Sequence, residues 1–267
     1  LFLILILGIS HGALDNIKGK KLLKLFGYKQ IISFYLAYVL ISSLIIIFWL
    51  IFPNTILLLF LIVAAYHFGK EDTVFFFRKK FFISECLFFL KGSTVIMAPL
   101  LLKREETNEI FRILNFKVFE AGFFSNEFLI GMLCLGFLSS MYISKKENTN
   151  LKGVMIMDFF SLIILNLFLP PILAFTLYFC FLHSIRHSIT LIFELDKSFK
   201  PGLKKFIIKA IPLTFVTAVI FLFAIYFLNN FYKLDEAIYK VIFIGLASLT
   251  FPHILLEYLL EKNEKRT

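Results

Sequence analysis

Apolar residues in this chain run in long blocks, at roughly 1–17, 31–52, 54–68, 82–102, 125–144, 153–169, 171–194, 206–228 and 238–260, with polar residues confined largely to the short stretches between them. A hydrocarbon layer about 30 Å thick is crossed by about 20 residues of helix, and only helices or closed barrels can satisfy their backbone inside it. The blocks therefore predict an all-α, polytopic transmembrane bundle of about 8–9 spans, built as a single domain over 1–267. Pro170-Pro171 marks a break between two blocks, because proline lacks a donor and disfavours helix in the residue before it. The first block has no basic stretch before it and no small-residue cleavage site after it. It reads as a helix whose upstream residues are missing, not as a signal-peptide core.

Composition supports a lipid environment. The chain is 60% hydrophobic with 37 Phe and a mean hydropathy of +0.87, whereas soluble domains are about 45–50% apolar. The net charge of +10 would suggest nucleic acid in a soluble protein, but its distribution excludes that reading. Of the 28 Lys and Arg, 20 fall in one alternating set of loops and 5 in the other. That asymmetry places the C-terminus in the cytoplasm. Cys86, Cys134 and Cys180 lie in apolar segments without paired spacing, which argues against disulfides and a thiolate metal site and predicts small core side chains.

Against this background the five histidines stand out. They occur in four strings: GISHGALD (His11), AYHFGKED (His67), FLHSIRHS (His183, His187) and FPHILLEY (His253). His11, His67 and His253 have Asp15, Glu71 and Glu257 four residues on, and His183 has His187 at the same spacing. Residues four apart share a helix face. Counted at the helical rise, all five fall in the cytoplasmic half of the bilayer. Ionisable groups inside lipid are costly and mark function by default, so the five histidines are expected to form one buried metal site. A helical H-x-x-x-H pair is a common bidentate arrangement.

Imidazole sites suit Zn, Cu, Fe or Ni. A scaffold this apolar favours redox chemistry on an apolar substrate, and Fe(II) with four neutral imidazoles leaves room for oxygen. The carboxylates Asp15, Glu71 and Glu257 are then expected behind the ligands, accepting the other ring N–H. Tyr66, Tyr178, Trp49 and Met157 are candidate lining for an apolar substrate pocket.

At the four strings the chain resembles the Brp/Blh family of bacterial β-carotene 15,15'-dioxygenases: H-G-x-x-D, Y-H-F-G-x-E-D, H-S-x-R-H and P-H-x-x-x-E, in order along essentially the whole chain. The resemblance implies a multi-pass inner-membrane iron enzyme that uses O2 to split lipid-dissolved β-carotene into two all-trans-retinal. Carried over by motif, the iron ligands are His11, His67, His183 and His187, with His253 either a fifth ligand or a residue behind them.

Arg186 is expected to pair with Asp158 or Glu194, or to reach toward the inner surface. Gly12 and Gly69, each following a histidine, read as close-approach or helix-ending positions. Two alternatives fit less well. A membrane di-iron hydroxylase or desaturase needs about eight histidines, and a transmembrane b-haem protein needs axial ligands on opposite faces of the haem. A histidine-relay transporter is a third class.

Overall fold

The computed structural model describes residues 1–28, 30–75, 83–116, 124–146 and 153–264, with side chains left aside at 9–11. Among the described residues every regular element is a helix. A π turn (Ile4–Gly8) and a 3-10 turn (Ile9–Leu14) lead into α1 (Asp15–Leu25), α2 (Ile32–Ile51), α3 (Pro53–Val74), α4 (Ser84–Leu102), α5 (Arg104–Ile113), α6 (Asn126–Lys146) and α7 (Val154–Phe168). Then come α8 (Pro171–Leu177), a π-helical stretch (Tyr178–Ser184), α9 (Ile185–Leu195), α10 (Phe199–Leu228) and α11 (Leu234–Glu264).

Seven of the nine predicted runs form helices long and apolar enough to cross a membrane. They are α2, α3, α4, α6, the continuous stretch Pro171–Leu195, α10 and α11. The run at 153–169 becomes α7, only 15 residues long. The first run is split, because Gly8 and Gly12 weaken the α-helical ladder and the chain winds as π and 3-10 turns there. Pro170 is extended at ψ 148° and α8 begins at Pro171, so the double proline separates two helices as expected. The connection after α4 carries a short amphipathic helix, α5, which buries Thr107, Ile110 and Phe111.

Large apolar side chains cover the outside. Leu36 and Leu50 of α2 are 65% and 72% exposed, and Phe215 and Phe223 of α10 are both 66% exposed. Such a surface belongs against lipid, which makes this a membrane protein in which hydrophobicity by itself does not mark the core. Met157 is exposed and Trp49 buried. The cysteines are free as expected, but only Cys180 is a core side chain, while Cys86 and Cys134 are exposed.

The chain forms two compact units, Leu1–Ile56 with Leu191–Thr267, and Leu57–Thr190. In the first, α11 lies along α2 and α1, and α10 packs on the 3-10 turn. Its core includes Ala13, Leu14, Leu191, Ile192 and Phe206. Between α9 and α10, Lys205 Nζ (2.6 Å) and the Ser198 N–H (3.1 Å) both donate to Asp196. The bond from Lys205, then that from Ser198, holds this half-buried carboxyl below its usual range.

In the second unit α4 lies along α6 and α7, around Phe88, Ile143 and Met155. Two glycines set how α3 meets α4. A Cβ on Gly69 would sit 1.8 Å from the Phe88 carbonyl oxygen, and one on Gly92 would sit 1.8 Å from that of Ala65. The helices touch backbone to backbone, the contact that small residues permit in membranes. Gly69 is thus a close-approach position inside α3, whereas a Cβ on Gly12 meets only the Asp15 carboxylate at 3.9 Å. Gly69→Ala is expected to destabilise the fold by about 3 kcal/mol, the upper range for overpacking, because backbone cannot yield as a side chain does. Thermal unfolding in detergent, with Gly12→Ala as the near-neutral control, measures this.

Candidate metal centre

In the unit Leu57–Thr190, α3 supplies His67, Glu71 and Asp72, while the π-helical stretch and α9 supply Tyr178, His183 and His187. His67, His183 and His187 are 4%, 1% and 6% exposed. His183 Nδ1 lies 2.9 Å from Asp72 Oδ1, and the Tyr178 hydroxyl donates to Asp72 Oδ2 at 2.7 Å. His187 Nδ1 lies 3.1 Å from Glu71 Oε2. The His67 and His183 rings stand 5.3 Å apart, with the edge of Phe68 against His183 at 4.8 Å and Phe179 stacked on it at 5.8 Å.

The π turn explains why Tyr178 and His183 reach one carboxylate. On an α-helix, residues five apart point about 140° away from each other. The i→i+5 winding of a π-helix brings them onto one face, and such turns recur at functional sites.

A carboxylate can only accept a hydrogen bond, so each bonded Nδ1 carries a proton, and in the neutral ring Nε2 is then the atom with the lone pair. Carboxylate–histidine pairing of this kind fixes tautomer and orientation in metal sites and raises ligand basicity. Neutral imidazoles with Nε2 lone pairs are the donors that suit Zn, Cu, Fe or Ni. The donor set therefore fits a transition-metal ion.

The other unit holds His253, Asp15 and Glu257. His253 Nδ1 lies 2.9 Å from both oxygens of Asp15, and its Nε2 lies 3.6 Å from Glu257 Oε1. Lys18 Nζ donates to that same Glu257 oxygen at 2.9 Å. The Tyr38 hydroxyl lies 3.0 Å from Asp15 Oδ2 and 3.2 Å from the Leu249 carbonyl oxygen, in the stretch of α11 that Pro252 disturbs. His253 is thus set between two carboxylates and ties α11 to the start of α1. His11 lies in the 3-10 turn, and its side chain is outside the described residues.

Of the i,i+4 pairs, His253 keeps Glu257 at 3.6 Å, the His11–Asp15 pair lies outside the described side chains, and the closest Nδ1 partners come from elsewhere. Glu71 serves His187, not His67, and Asp15 serves His253. Glu257 lies near the His253 Nε2 edge and takes Lys18. Asp72, the acceptor of His183, was not singled out in the sequence, although it follows Glu71 directly in the AYHFGKED string. Tyr38 and Lys18 were missed too, since Tyr38 lies on another helix far from any histidine and Lys18 reads as one of the loop cations. Arg186 forms a two-pronged pair with Asp158, 2.7 Å on each side, one of its two expected partners. The Tyr178 hydroxyl is taken by Asp72 and the Tyr66 hydroxyl by Glu85. Both tyrosines therefore offer ring faces, not hydroxyls, to any apolar neighbour.

Fold and site together define a polytopic helical membrane protein that buries carboxylate-oriented imidazoles. The family model for β-carotene 15,15'-dioxygenase matches residues 2–261, and the chain belongs to that family. It is 34% identical over 110 residues to the β-carotene 15,15'-dioxygenase of uncultured marine bacterium 66A03. That stretch covers 41% of this chain and 39% of the relative. No solved structure matches the chain.

Proposed function

We propose that this chain cleaves the central double bond of β-carotene with O2, yielding two all-trans-retinal, as one catalytic domain over residues 1–267. Family membership across residues 2–261 supports the activity. The observation that carries the metal reading is the pairing of His183 with Asp72 and His187 with Glu71, which turns two buried Nε2 lone pairs into ready donors. The proposed ligands are His67, His183 and His187, with His11 supplied by the H-G-x-x-D motif. The proposed ion is Fe(II), which supplies the means to engage O2.

The chain's own residues do the rest. Asp72 and Glu71 hold the ring orientations, so the ligands need little rearrangement on binding. Phe68 and Phe179 box His183 in apolar surface and exclude water from it. The apolar exterior suits a substrate dissolved in the bilayer, because each buried CH₂ of a carotenoid is worth about 0.8 kcal/mol over water. The loop charge asymmetry supports a bacterial inner-membrane location with the C-terminus in the cytoplasm.

Expression in a β-carotene-accumulating host is the direct test. The colonies are expected to lose their orange colour while retinal accumulates in the extract. Persistent colour with the protein present in the membrane refutes the activity, and apocarotenals longer than retinal place the cut elsewhere.

A further inference from the structure

The unit Leu57–Thr190 buries more charge than metal binding requires. Asp72, Asp158 and Lys91 are 6%, 8% and 7% exposed, and Arg186 completes the set through its two-pronged bond to Asp158. Lys91 sits one residue from Gly92, where α3 and α4 touch, and its ammonium donates to Thr73 Oγ1 at 3.2 Å. Thr73 in turn donates to the Gly69 carbonyl at 2.6 Å. Two anions and two cations thus balance inside the bundle.

Asp72, Asp158 and Lys91 line a small cavity together with Thr94, Ser140, Tyr178 and apolar side chains. Thr94 is 1% exposed, and its Oγ1 has no hydrogen-bond partner among the described residues. The charges and hydroxyls at this cavity offer a water the several polar partners it needs.

We infer that Lys91 is a positioning residue: beside this cavity its ammonium offsets the second buried carboxylate and keeps Asp72 facing His183. This rests on the metal reading above. Arg186 holds Asp158 by two bonds, and Lys91 is the cation that lines the cavity beside Asp72. Without Lys91, Asp72 and Asp158 share the single guanidinium of Arg186, and an uncompensated buried charge rearranges toward what remains. Asp72 then turns from His183 toward Arg186, and the His183 ring loses its orienting acceptor.

The test uses the full chain purified in detergent, with Co(II) as the probe, because its visible absorption bands report ligand number and geometry without turnover. Wild-type protein is expected to bind Co(II). Lys91→Met is expected to weaken binding about threefold to tenfold, less than the ten- to hundredfold loss when a direct carboxylate partner goes, with altered bands. Lys91→Arg keeps the charge and is expected to keep the wild-type bands. Wild-type affinity and bands in Lys91→Met, even with a lowered unfolding temperature, make Lys91 a structural pin and overturn the inference. Equal losses in Lys91→Met and Lys91→Arg overturn it as well. If Lys91→Met does not fold, the double variant Lys91→Met/Asp158→Asn removes one charge of each sign and restores the balance, so near-wild-type affinity and bands are expected there, and weakened binding with altered bands overturns the inference. A wild-type chain that takes up no Co(II) refutes the metal reading itself, a result distinct from any difference between the variants.

Discussion

Alanine at His67, His183 or His187 is expected to abolish both metal retention and retinal formation, whereas alanine at His253 leaves the metal largely bound and lowers turnover. The difference follows from what surrounds each ring. His183 and His187 give Nδ1 to Asp72 and Glu71 and direct Nε2 away from those carboxylates. His253 has Asp15 at 2.9 Å from Nδ1 and Glu257 at 3.6 Å from Nε2, so both edges of its ring face anions. Its removal frees α11 from Asp15 without taking a donor from the proposed set. Metal content per chain, measured beside retinal yield across the four variants, decides the matter. If His253→Ala loses metal as completely as the others, His253 is a direct ligand. If one of the other three keeps its metal, that residue and His253 have exchanged roles.

The second large effect concerns the carboxylates. Asp72→Asn is expected to weaken metal retention about ten- to a hundredfold. Asparagine keeps the size but loses the charge that polarises His183 Nδ1–H, and an amide accepts through one oxygen where the carboxylate serves His183 and Tyr178 with two. Glu71→Gln acts on His187 in the same range. Asp15→Asn is expected to resemble His253→Ala, with metal kept and stability reduced, because Asp15 serves His253 and Tyr38. Should Asp15→Asn lose metal while Asp72→Asn keeps it, the carboxylates would be assigned the wrong way round. Metal content after dialysis against a weak chelator separates the three variants.

Much of this protein was legible in the chain alone. Long apolar blocks can satisfy their backbone in lipid only as helices, so the polytopic helical class followed directly, as did the break at Pro170-Pro171. Histidines at membrane depth are costly, so the four strings stood out as the candidate site, and their order carried the family resemblance. The span count was less secure. Length and hydropathy treat the first block and α7 like the others, but the first winds as π and 3-10 turns and α7 has only 15 residues.

Only the tertiary structure decided which carboxylate serves which ring. Sequence spacing sees pairs on one helix, four residues apart, and it proposed Glu71 for His67 and Asp15 for His11. In the fold, the Nδ1 partners of His183, His187 and His253 come from crossing helices. The backbone contact at Gly69 and Gly92 sets α3 against α4, and the π turn after α8 brings Tyr178 and His183 onto one face toward Asp72. A period of 3.6 residues cannot anticipate that turn, and a glycine in a string does not say which carbonyl will press against it. Covalent spacing therefore determined what chemistry the chain carries, while helix crossing and local winding determined which charges meet. Imidazole–carboxylate bonds depend on ångström-scale approach between segments that are far apart in sequence.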